Sequence, residues 1–186
     1  STQSCLVRIE GNIISDLTSA LTNVSLTERA VSTVNYTLVT GGIAGIYSNS
    51  NRTPLIRQNS ISNISLTNTA AVGTNLAGLY LNSVAGTGTF DISRNRIFNL
   101  TNASTSTSAT NPGTVAGISM IYPSGCTFNI VNNMISLGNA QITNTSFIGI
   151  WANGNAFDVF GVGVNVSFNV NAYHNTINIE GSATSG

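Results

Sequence analysis

Few side chains in this sequence could do acid–base, nucleophilic or metal chemistry. They are Glu10, Asp16, Glu28, Asp91, Asp158, Glu180, His174, Cys5 and Cys126. Glycoside hydrolysis needs two carboxyl groups about 5–9.5 Å apart. Calcium needs several oxygen ligands with charge among them, and zinc needs His, Cys or carboxylate ligands converging on one point. A second set could bind rather than react: Tyr47, Tyr80 and Trp151 each close a short apolar motif and offer flat ring faces. Which of these groups meet depends on the elements that carry them.

Those elements repeat. The stretch Phe90-Asp91-Ile92-Ser93-Arg94-Asn95-Arg96-Ile97-Phe98-Asn99-Leu100 has counterparts at residues 7–17, 54–64, 128–137 and 170–179. Aligned on one asparagine, the copies give Asn12, Asn59, Asn95, Asn133 and Asn175. Two residues later stand Ile14, Ile61, Ile97, Ile135 and Ile177; three residues earlier stand Ile9, Ile56, Ile92, Ile130 and Ala172. A second motif falls between the copies, as Ala44-Gly45-Ile46-Tyr47, Ala77-Gly78-Leu79-Tyr80, Ala116-Gly117-Ile118-Ser119 and Ile148-Gly149-Ile150-Trp151. A period of about 35–50 residues marks a stacked-repeat architecture.

Phe90 and Ile92 alternate with Asp91 and Ser93, the period of a strand with one buried face. Arg94-Asn95 breaks the alternation and Ile97 opens a second short strand after a bend. No copy has the three- and four-residue spacing of a helix. Parallel stacking puts each position about 4.8 Å from its counterpart in the next coil. Isoleucine then packs on isoleucine, and the asparagines form a ladder of side-chain amides. A buried corner needs such partners for its polar groups. The expected fold is therefore all-β: a parallel β-helix of four to five coils, three short strands per coil, with Asn12, Asn59, Asn95, Asn133 and Asn175 in one line.

The Ile-x-x-Asn-x-Ile repeat resembles the right-handed parallel β-helix of the pectin-lyase-like superfamily, in which an asparagine ladder at one corner is common. The Asn/Thr/Ser-rich loops and the Ala-Gly-Ile strand are similar to repeats of large secreted surface proteins of Bacteroidetes-type bacteria. The resemblance covers nearly the whole chain. It implies a right-handed coil and an extracellular or cell-surface setting. It leaves function open, because the superfamily includes lyases, hydrolases, phage spikes and adhesins.

The columns of the repeat weigh against catalysis. Asp91 has Leu55 and Asn129 beside it in adjacent copies, and no two acids fall in matching columns of adjacent coils. His174, beside Asn175, lacks cysteine or carboxylate neighbours and reads as a corner residue. Glu10 and Arg57 share a column as a surface ion pair worth about 0–1 kcal/mol. Cys5 and Cys126 stand about three coils apart, roughly 14 Å, which is beyond disulfide range; both read as buried thiols. The reading is non-enzymatic, with no metal and no cofactor.

Charged residues are 6% of the chain, the net charge is zero and every cation is arginine. Nothing here suits nucleic acid or an anionic membrane surface. No apolar run reaches the ~20 residues of a membrane helix. Variation between coils is confined to residues 65–75, 101–114, 138–146 and 153–169, and insertions of this kind map to one face of a solenoid. Residues 101–110, Asn/Ser/Thr-rich and of low complexity, are expected to be mobile. An extra residue in copies two and three, at Asn63 and Asn99, reads as a bulge or a looser corner. No capping helix or charged cluster appears at residues 1–8 or 179–186, so residues 1–186 are expected to be one segment of a longer array.

In the second motif Ile46, Leu79, Ile118 and Ile150 form an inward column, and Tyr47, Tyr80, Ser119 and Trp151 the opposite one. The expectation for function is a non-catalytic structural or adhesive module, a stalk or adhesin segment of a bacterial surface protein. Its partner would be a glycan or a surface protein on the aromatic column. The competing role for that column is plain packing under the loops. The alternatives are a polysaccharide lyase or hydrolase, and a fibre subunit that stacks end to end.

Overall fold

The computed structural model describes residues 8–20, 42–49, 54–67, 69, 74–82, 88–106, 113–122, 125–139, 142–143, 145–154 and 169–183. Among them there are strands and no helix. The first coil holds β1 (Arg8–Glu10), β2 (Ile13–Ser19) and β3 (Gly42–Asn49), and the second β4 (Leu55–Arg57), β5 (Ser60–Leu66) and β6 (Asn75–Asn82). The third holds β7 (Gly88–Ser93), β8 (Arg96–Asn102) and β9 (Thr114–Tyr122). The fourth holds β10 (Cys126–Val131), β11 (Met134–Leu137), the short β12 (Ile142–Thr143) and β13 (Ser146–Gly154). The fifth holds β14 (Asn169–Tyr173), β15 (Thr176–Ile179) and β16 (Ser182–Ala183).

Like strands of successive coils pair in parallel. The first sheet runs β1-β4-β7-β10-β14, the second β2-β5-β8-β11-β15 and the third β3-β6-β9-β13. This is a right-handed parallel β-helix. Register follows the sequence repeat: Ile9, Ile56, Ile92, Ile130 and Ala172 are successive partners in the first sheet. Ile14, Ile61, Ile97, Ile135 and Ile177 are partners in the second. Ile46, Leu79, Ile118 and Ile150 are partners in the third.

The core lies inside the coil. Ile56, Ile92 and Ile130 meet Ile61, Ile97, Ile135, Leu79 and Ile118 in one continuous apolar cluster. Phe90 and Phe128 stack within it with centroids 4.8 Å apart. Full burial of an aliphatic side chain is worth about 1.5–3 kcal/mol, so these columns supply the drive that closes the coil. Cys126 lies in this core with its thiol pushed up by burial. Cys5 lies outside the described residues.

The recurring glycine of the second motif explains how the walls close. A β-carbon on Gly45, Gly78, Gly117 or Gly149 would come 2.4–2.6 Å from the Cγ2 atom of Ile61, Ile97, Ile135 or Ile177 respectively. Each isoleucine of the second sheet thus rests on the bare backbone of the third. Only glycine leaves that space.

The bulge is present, and it reaches one coil further than expected. Asp16, Asn63 and Asn99 all have positive φ, at 59°, 54° and 52°. Strand pairing skips Asp16, Asn63 and Asn99, so Leu17, Ile64 and Leu100 regain register beyond them. Residues 101–106 differ from expectation. Asn102 is fully buried, and its amide donates to the Thr74 and Thr114 carbonyls at 2.7 and 3.2 Å. Its Oδ1 accepts from the Thr74 hydroxyl at 2.8 Å and the Ser104 N–H at 3.0 Å. These bonds tie the start of the low-complexity stretch to the third sheet; residues 107–112 lie outside the described residues.

Candidate functional site

The corner between the first and second sheets is built identically in every coil. The residue before the ladder asparagine is Gly11, Gln58, Arg94, Asn132 or His174, with φ of 69°, 58°, 55°, 57° and 53°. This left-handed step turns the chain and aims the next side chain inward. Asn59, Asn95 and Asn133 are buried there. The Asn59 Oδ1 accepts from the backbone N–H and the Nδ2 of Asn12, at 3.1 and 3.0 Å. Its Nδ2 donates to the Asn95 Oδ1 at 2.9 Å and back to the Ile9 carbonyl at 2.9 Å. Asn95 repeats the pattern with the Asn133 Oδ1 and the Ile56 carbonyl, both at 3.0 Å. Asn133 repeats it with the Asn175 Oδ1 and the Ile92 carbonyl, at 3.0 and 2.9 Å. Every hydrogen-bonding valence of the three interior amides is filled, as burial demands.

A second asparagine ladder runs down the outside at the bulge. The Asn63 Nδ2 donates to Asp16 at 3.0 Å, the Asn99 Nδ2 to Asn63 at 2.7 Å and the Asn139 Nδ2 to Asn99 at 3.2 Å. The Ser15 hydroxyl and then the Asn63 amide hold the Asp16 carboxyl below the ordinary carboxylate range. The sequence signals this ladder only through the extra residue. Asn139 joins it after β11 has already ended, so alignment of the copies does not reveal that rung.

The aromatic column exists as a register. Tyr47, Tyr80, Ser119 and Trp151 are successive partners on the third sheet. The Tyr47 and Tyr80 rings stack with centroids 5.5 Å apart and planes 16° off parallel. Their environments differ. Tyr47 is 43% exposed, Tyr80 is buried at 7% and packs with Ala77 and Ala116, and Trp151 is half-buried. Ser119 is buried between Tyr80 and Trp151. The accessible aromatic surface is therefore the Tyr47 ring, backed by Tyr80, with Trp151 further along the column.

The described acids do not cluster. Glu10 accepts from the Arg57 Nε at 2.8 Å in a partly exposed pair. Asp91 accepts from the Asn129 amide at 2.9 Å, and Glu180 from Asn178 at 2.6 Å. Glu28 and Asp158 lie outside the described residues. Among the described residues no three His, Cys, Asp or Glu side chains group as metal ligands, and no helix is long and apolar enough to cross a membrane. His174 occupies the left-handed corner position, as its place in the repeat suggests.

No protein-family model, curated protein or solved structure matches this chain.

Proposed function

We propose that this chain is a non-catalytic structural and adhesive segment of an extracellular protein, a rigid rod that presents its third sheet to a glycan or a surface protein. The observation that carries this reading is the Tyr47–Tyr80 stack, with one ring exposed and the other buried behind it. A ring fixed from behind loses little freedom when it takes up a ligand, and a flat apolar face surrounded by hydroxyl and amide groups suits the face of a sugar. The scarcity of charge and the Asn/Ser/Thr-rich surface favour hydrogen bonding over ionic recognition. The bacterial surface setting rests on the resemblance of the repeats.

The Asn175 Nδ2 donates only to the Ile130 carbonyl among the described residues, whereas each interior rung donates onward to the next amide.

The adhesive reading is tested with Tyr47→Ala and Trp151→Ala on a glycan array and on cell surfaces. Tyr47→Ala is expected to lower retention about tenfold, the size of ~1.4 kcal/mol, with the melting temperature within about 2 °C of the parent. Trp151→Ala is expected to weaken retention and also to lower the melting temperature, because that side chain is half-buried. Unchanged retention in both variants would remove the aromatic column from function.

A further inference from the structure

We propose that the outer face of the first sheet carries a binding groove for a small organic anion with a flat apolar body. This face is separate from the aromatic column. A trough of about 450 Å³ lies there, within the range of about 300–1,000 Å³ usual for small-ligand sites. Its shape follows from one outward column, in which Arg57, Ser93, Val131 and Tyr173 are successive partners. Ser93 and Val131 are short and form a floor, while Arg57 and Tyr173 stand as end walls. Three strand spacings separate those walls, about 14 Å, enough for a bicyclic ring with an acidic head.

The two ends differ in chemistry. At the Arg57 end, the neighbouring corner residue Arg94 also lines the trough. Arg57 gives its Nε to Glu10 at 2.8 Å, and its side chain remains 39% exposed. The Arg94 guanidinium makes no hydrogen bond or ion pair among the described residues. Its backbone sits at φ 55°, a conformation that costs a non-glycine residue about 1–2 kcal/mol. Non-glycine residues hold this corner in four of the five coils, so the backbone does not single Arg94 out; its place on the trough does, with a guanidinium that has no partner among the described residues. A guanidinium binds carboxylate and sulfate by parallel N–H donors, and Arg94 is the one here that no described carboxylate holds. At the other end Tyr173 is 58% exposed and offers its ring. Asp91 on the opposite rim, held by Asn129, repels an anionic head and directs it to the Arg94 side.

The test is titration with naphthoate, followed by heteronuclear NMR, with naphthalenemethanol as the neutral control. The expected result is shifts at the amides of Ser93, Val131 and Tyr173, and a Kd for the acid at least about tenfold below that for the alcohol. Arg94→Gly is expected to weaken naphthoate about tenfold with an equal or higher melting temperature, since glycine suits that corner. Tyr173→Ala weakens both probes. Trp151→Ala, on the third sheet, leaves both Kd values unchanged, so this site stands or falls independently of the adhesive column. Equal affinity for acid and alcohol, unaltered naphthoate binding in Arg94→Gly, or no shifts at those amides at millimolar probe would each overturn the proposal.

Discussion

Asn95→Leu is expected to destabilise the protein by about 3–5 kcal/mol, because it leaves several buried groups unpaired at ~1–3 kcal/mol each. The Asn95 Oδ1 receives both the backbone N–H and the Nδ2 of Asn59, at 3.1 and 2.9 Å. Its Nδ2 supplies the Ile56 carbonyl and one of the two bonds to the Asn133 Oδ1. Leucine matches the volume but restores none of these bonds. The Asn95 backbone N–H survives the substitution and still reaches Asn133 at 3.0 Å, so the loss stops short of the full sum. For a chain of this size the melting midpoint should fall by roughly 10 °C. A fall below about 2 °C would mean that water replaces the amide and that the ladder is not a sealed array.

Gly78→Ala is expected to cost about 3 kcal/mol, at the upper end of ordinary overpacking. The new β-carbon would stand 2.5 Å from the Ile97 Cγ2 and 2.8 Å from the Gly117 carbonyl oxygen. Neither can retreat: Ile97 has no exposed surface, and Gly117 belongs to β9, which pairs with β6. Gly11→Ala is the informative control. Its β-carbon meets nothing within 4 Å, but φ is +69°, so only the backbone term of about 1–2 kcal/mol applies. A double-mutant cycle with Ile97→Ala should show a favourable coupling, as removing the γ-carbons relieves half of the clash. If Gly78→Ala melts with the parent, the second and third sheets do not touch as described.

The fold was legible because each coil restates the same local chemistry. Ile-x-x-Asn-x-Ile encodes a strand, a left-handed step, an inward amide and a second strand, and the register of all five ladder asparagines follows from aligning them. The Ala-Gly-Ile motif was legible as a strand, yet the reason for its glycine was not. That reason is the approach of an isoleucine from another sheet, which adjacent residues do not report. The outer ladder was half visible, since Asn63 and Asn99 announce a bulge while Asp16 and Asn139 enter from different local contexts. Asn102 was hidden because it sits among serines and threonines that suggest a polar loop, whereas tertiary contacts bury it.

The candidate sites were less legible for a related reason. Sequence columns show which side chains share a line, but exposure depends on what covers them. Tyr47 and Tyr80 are neighbours in the same column and differ from 43% to 7% exposed. The trough on the first sheet depends on the alternation of long and short side chains across coils, as with Arg57, Ser93, Val131 and Tyr173. No stretch of contiguous sequence contains that pattern. In the sequence Arg94 only breaks the strand alternation before Asn95, and its lack of a partner among the described residues emerges from the structure.

The most direct test of the account is NMR of the asparagine side-chain amides in the intact chain. The ladder places the Nδ2 of Asn59 2.9 Å from the Oδ1 of Asn95, and the Nδ2 of Asn95 3.0 Å from the Oδ1 of Asn133. Cross-peaks are therefore expected between side-chain amides 36 and 38 residues apart in sequence. Their protons should exchange with solvent on the order of a hundredfold more slowly than those of exposed asparagines, as protected interior bonds do. Rapid exchange at Asn59, Asn95 and Asn133, with no cross-peaks between them, would contradict the ladder and the β-helix built on it.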